Sequence, residues 1–209
     1  MNKNIEKKTG TEDTILARWY DNGELKEITI KEYLKYVKEK NKEKLAEFVC
    51  QRLYTRYLKP FEYDDKKYID EYKNGFSIMA NCCLLIETLL SFKAGRKDNK
   101  DEILKNLFEN FLGGNDNLKE FQGIGFYNNI RCGILHQGET TGGWKIRREG
   151  KLIDKTNHII NSTLFADKLK KSLEAYSDEL KKSDWENELW KNFINKMDAV
   201  IENCKYKEK

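Results

Sequence analysis

Histidine and arginine are scarce in this 209-residue chain. It holds 2 histidines, and among its 39 basic residues only Arg18, Arg52, Arg56, Arg96, Arg131, Arg147 and Arg148 are arginine. Cysteine is neither abundant nor patterned. The 5 cysteines, Cys50, Cys82, Cys83, Cys132 and Cys204, form an odd set without a CxxC spacing. That argues against a disulfide framework and a structural zinc site, and it fits a reducing cytosol. The charged opening from Met1 to Lys8 lacks the apolar stretch of a secretory signal, so a cytoplasmic protein is expected. A clean membrane-spanning run is missing too. Phe76 to Phe92 is the most apolar stretch, but Asn81, Glu87 and Thr88 interrupt it before about 18 apolar residues accumulate. It reads as a buried core helix, with no membrane partner.

What remains is enough for one folded core: 39% hydrophobic and 12% aromatic residues, with 35% charged residues accounting for the low mean hydropathy. The net charge of +4 permits an anionic partner without demanding one. Most lysines read as solvated surface.

Along the chain, Asp21-Asn22-Gly23 lies between two strand-like segments and predicts a short hairpin after a polar tail of residues 1–13. Apolar residues recur at helical spacing from Lys31 to Leu58, with an interruption expected near Asn41 and a stop at Pro60. Further helices are expected over Gly75 to Phe92, Glu102 to Leu112, Leu118 to Gln137, Leu164 to Leu180 and Trp185 to Asn203, the last capped by Ser183 or Asp184. Trp144 to Ile153 alternates around Glu149-Gly150, predicting a second small hairpin that pairs with the first into one sheet. The expected fold class is mainly α, an up-and-down helical bundle with one or two short β-hairpins. Residues 1–30 form a tail and hairpin, and 31–209 a single helical domain with a hairpin insertion near 144–153.

The chemistry concentrates in Asn128-Asn129-Ile130-Arg131-Cys132-Gly133-Ile134-Leu135-His136-Gln137. Imidazole moves protons near neutral pH, and guanidinium grips phosphate oxygens with a planar fork. On a straight α-helix five residues turn the chain by about 500°, leaving Arg131 and His136 about 140° apart, flanking a face that holds Asn128 and Cys132. Gly123, Gly125 and Gly133 each cost about 1 kcal/mol in a helix, which predicts close packing against another helix, within or between subunits. The same spacing also fits a helix arginine bonded to a nearby carboxylate and a satisfied histidine at a helix end. Glu87, the one charge in the apolar stretch, needs a partner, and Arg131 or a neighbouring lysine would serve. Lys145, Arg147, Arg148 and Lys151 make the densest arginine-bearing patch, suited to an RNA backbone or simply to solvent. Cys132 and His136 stand four apart without further matched ligands, so no metal site is expected.

The element Arg131-x-x-x-x-His136 at a helix end, preceded by Asn128 and by a hydrophobic helix bearing Glu87, resembles the HEPN superfamily of all-helical domains, which includes many metal-independent ribonucleases. The resemblance spans roughly Lys31 to Gln137. It differs from the family pattern in two places: Cys132 stands where a polar residue is common, and Gln137-Gly138-Glu139 has no tyrosine of the kind that partner nucleotidyltransferases modify. It implies a homodimer in which two motif helices build one cleft, RNA as substrate, no cofactor, and an endonuclease of toxin or antiviral-defence type with an antitoxin or defence protein as further partner. It also implies that Arg131 and His136 are catalytic, with Asn128, Glu87 and Cys132 supporting them. The alternatives are a catalytically silent module that binds RNA, a nucleotide or a protein, and a plain dimerisation domain.

Overall fold

The computed structural model describes residues 12–62, 71, 73–96 and 101–204. The predicted tail lies almost wholly outside them, as do most of the segment before Gly75 and part of the break after Ala94. The fold is mainly helical, with a few short strands.

Strands β1 (Ile15–Asp21) and β2 (Glu24–Thr29) form the predicted antiparallel hairpin. Asn22 and Gly23 turn it with φ of 49° and 83°, the left-handed pair that matches the twist of the strands. A register shift between Ile15 and Ala17 lets both Leu16 and Ala17 face inward despite the two-residue alternation of a strand. Thr29 then caps helix α1 (Ile30–Lys38): its hydroxyl accepts from the Glu32 amide at 3.2 Å, and the Glu32 carboxylate accepts from the Thr29 amide at 2.8 Å. The expected interruption occurs at Lys40, in the left-handed region with φ 50°. Asn41 follows and takes the Lys44 amide at 3.1 Å, opening α2 (Lys42–Tyr57).

Helix α3 (Gly75–Lys93) is the predicted central helix. Among the described residues it is the one long and apolar enough to cross a membrane, and 61% of its apolar window is buried within the protein. Helix α4 (Asp101–Gly113) follows. The stretch predicted as one helix from Leu118 instead begins with a single 3₁₀ turn over Lys119–Phe121, passes through Gly123 and Gly125, both at positive φ, and winds as a π-helix over Tyr127–Gln137. The two glycines therefore shape a turn and do not interrupt a helix.

The second predicted hairpin is corrected as well. Strand β3 (Lys145–Arg147) does not fold back around Glu149-Gly150; it pairs in parallel with β5 (Ile159–Asn161), whose other edge takes β4 (Ile153–Asp154) antiparallel. These three strands form a sheet separate from that of β1 and β2. Helices α5 (Ser162–Lys182) and α6 (Glu188–Glu202) complete the chain. The cap of α6 is Asn187, accepting from the Leu189 amide, whereas Trp185 lies before the helix and packs on Trp190 with ring centroids 4.9 Å apart.

The described residues cluster into two compact units. One draws on residues 12–55, 92–96 and 177–204, the other on 56–62, 71, 73–91 and 101–176. In the first, Tyr33, Phe48, Phe92, Trp190 and Phe193 are almost fully buried and meet ring to ring. The second is built on Phe108, Phe121, Phe126 and Phe165, each inaccessible to solvent, with stacked and edge-on contacts of 4.8 to 5.9 Å. Phe126 directly precedes the π-helix, so this cluster anchors the start of the segment that carries Arg131 and His136.

Candidate active site

The second unit brings together Glu87 from α3 and Arg131, Cys132 and His136 from the π-helix. Helix α3 turns an almost entirely buried face inward, with Cys82, Cys83, Leu85 and Ile86 inaccessible, and Glu87 emerges at its margin with 13% of its side chain exposed. Arg131 answers it: Nε donates to Glu87 Oε1 at 2.5 Å, and the guanidinium carbon lies 5.1 Å from the centroid of the Tyr127 ring. Arg131 is itself 8% exposed. Its Nη1 donates to His136 Nε2 at 3.0 Å and reaches Cys132 Sγ at 3.7 Å. His136, by contrast, is exposed. The result is a chain of hydrogen bonds running from a shielded carboxylate, through a buried guanidinium, to an imidazole in water.

The contact between Arg131 and His136 overturns the α-helical expectation that the two side chains diverge. In a π-helix each hydrogen bond spans five residues, so groups five apart sit over one another. The widened winding has visible local partners. At the entrance, the Tyr127 amide, which has no helical acceptor, donates to Glu109 Oε1 of α4 at 3.0 Å. At the exit, Gly138 takes a left-handed conformation with φ 73°, and residues 139–141 fold back along the helix. The Thr141 amide donates to the Asn129 carbonyl at 2.9 Å, the Thr141 hydroxyl to Asn129 Oδ1 at 3.0 Å, and Asn129 Nδ2 to the Ile124 carbonyl at 3.2 Å. A backbone partner from outside thus enters the helical ladder.

The returning loop explains Gly133. A Cβ built there would collide with the Glu139 carbonyl oxygen and lie 3.2 Å from Thr140 Cα. Backbone, not a flexible side-chain end, occupies the space. The close approach comes from the chain's own loop and not from a second helix. Gly133→Ala is therefore expected to lose about 1–3 kcal/mol of stability, the usual penalty for overpacking, where an α-helical glycine would gain from the change. Urea unfolding of the two proteins measures it; a more stable variant would contradict the folded-back loop.

Electrostatics keep the guanidinium charged. Burial alone works against the Arg131 charge, but the hydrogen bonds to Glu87 and Cys132 and the Glu87 charge outweigh it, and the proton is held more tightly than in an ordinary arginine. Cys83, inaccessible and beside this cluster, has its thiol pushed well above the usual range, by burial first and then by neighbouring thiols and Glu87. It is a packing residue and not a nucleophile.

Other candidate residues fall differently. Asn128 is exposed, while its neighbour Asn129, which the sequence did not single out, holds the loop. Lys145 and Arg147 project from β3 on either side of buried Ile146, and Lys151 is exposed nearby in the chain. Arg148 turns inward, donating from Nη1 to Asn74 Oδ1 at 2.9 Å and from Nε to Thr163 Oγ1 at 3.3 Å. It ties the small sheet to the helices and offers little to a ligand. His158 stacks on Trp144 at 4.9 Å, with Nδ1 3.1 Å from the Gly142 carbonyl. Among the described residues no group of three or more His, Cys, Asp or Glu is placed to hold a metal ion.

No protein-family model, curated protein or solved structure matches the chain; what this site can do is read from its own geometry.

Proposed function

We propose that this protein is a metal-independent RNA endonuclease of the HEPN type, an up-and-down bundle acting in the cytoplasm as a toxin or antiviral-defence effector. The observation that carries the reading is the Glu87, Arg131, His136 chain, which ends in an exposed imidazole. His136 assists proton transfer from an RNA 2′-hydroxyl, whose oxygen attacks the adjacent phosphorus while the bond to the 5′-oxygen breaks. Arg131 balances charge growing on the phosphoryl oxygens, and Glu87 keeps it oriented. The products are a 2′,3′-cyclic phosphate and a 5′-hydroxyl. Exposed Lys145, Arg147 and Lys151 would steer the RNA backbone. A second copy of the chain would complete the cleft, and an antitoxin or defence protein would control it.

A second reading has a specific observation in its favour. Arg131 is nearly buried and already bonded to Glu87 and His136, as expected of a silent module that binds RNA, a nucleotide or a protein partner. Incubating purified protein with RNA in the presence of a chelator separates the two. Cleavage to cyclic-phosphate ends, with DNA left intact, is expected from the nuclease. An inactive wild type that still retains RNA would establish the silent module.

A further inference from the structure

The hydrogen bond between Arg131 and His136 has only one possible direction. A guanidinium carries donors and no acceptor, so the 3.0 Å contact from Arg131 Nη1 requires the lone pair of His136 Nε2. The proton of neutral His136 then resides on Nδ1. The ring nitrogen able to take a proton from a hydroxyl is the one that Arg131 covers, and the uncovered nitrogen can only donate. Arg131 is not free to swing aside unprompted, because Nε is held by Glu87 at 2.5 Å and the guanidinium carbon lies over the Tyr127 ring. Nη1, however, contacts the exposed His136, and 10% of the Arg131 side chain is open to solvent. A phosphodiester oxygen there is an ionised acceptor, and hydrogen bonds to ionised acceptors are roughly twice as strong as neutral ones. It outcompetes a neutral imidazole for the same donor.

Building on the nuclease reading, we infer that the resting site is capped by its own arginine and opened by its substrate: a phosphodiester anion takes over Arg131 Nη1 and thereby frees His136 Nε2 to act as base. The ligand class follows from this exchange. Any phosphodiester uncaps the site, but only one with a neighbouring ribose hydroxyl goes on to react. An RNA analogue methylated at the 2′-oxygen is thus a ligand that opens the site and stays intact.

The test needs no catalytic turnover. The chain has 2 histidines, so ring-nitrogen NMR of the full-length protein gives two sets of imidazole signals, and His136→Gln assigns them by removing one. At a pH where both rings are neutral, His136 is expected to carry its proton on Nδ1. Saturating 2′-O-methyl oligoribonucleotide is expected to shift the His136 Nε2 signal while leaving His158, engaged with Trp144 and Gly142, in place. A proton found on Nε2 in the free protein would overturn the cap. Oligonucleotide that fails to bind, or binds with the His136 signals unmoved, would overturn the opening by substrate. If the shift occurs but RNA is never cleaved, the cap stands and the nuclease reading falls.

Discussion

Replacing Glu87 by alanine is expected to lower the unfolding free energy by about 3–5 kcal/mol, the range for breaking a buried ion pair by removing one partner. The pair exposes only 10% of the Arg131 side chain and 13% of that of Glu87, so the abandoned guanidinium has little water to turn to. A guanidinium does not give up its proton in a protein, so escape by neutralisation is closed. Removing both charges together, as Glu87→Leu with Arg131→Met, is expected to cost far less than either change alone, because no uncompensated charge is left. Urea denaturation of the four proteins closes the cycle. A Glu87→Ala protein within about 0.5 kcal/mol of wild type would mean that water satisfies the guanidinium once Glu87 is gone.

The second large effect separates two residues that function would otherwise group together. His136→Ala is expected to reduce RNA cleavage by about 10²–10⁴-fold, the usual contribution of a positioned general base, while stability falls by only about 1 kcal/mol, the net worth of its one hydrogen bond to Arg131, because the ring itself is exposed. Arg131→Ala should lose cleavage to a similar degree and also destabilise the fold, since it strands Glu87. Cleavage rates and urea midpoints measured on the same preparations give the contrast. Equal destabilisation by both variants would place His136 in the structural framework and withdraw it from the chemistry.

The parts of this molecule that were legible in the sequence are those set by neighbouring residues. Asn22-Gly23 specifies its own turn, and Thr29 with Glu32 closes a cap within one helical turn. The Glu87 partner could be anticipated because an isolated charge in an apolar helix demands one. What failed depended on distant chain. Strand β3 pairs with β5 across the intervening β4, which no alternation around Glu149-Gly150 can reveal. The π winding was invisible for a related reason. Its stabilising partners, Glu109 from α4 and Thr141 from the returning loop, lie outside the helix, and local spacing carries no trace of them. Gly133 is the one local clue: it signals a close approach, and the neighbour is the returning loop and not another helix. α-Helical spacing points to Asn128, whereas in the π winding Asn129 holds the loop.

The π-helix ties residue count to geometry at the point where chemistry is proposed. In an α-helix, residues four apart lie over one another; here the same alignment is reached with five. Deleting one residue between Arg131 and His136 would leave the pair aligned if the segment relaxed to ordinary winding, whereas inserting one would break the alignment in either form. Length variation at this position is therefore asymmetric: a shorter spacer can be absorbed by a change of pitch, and a longer one separates the two side chains.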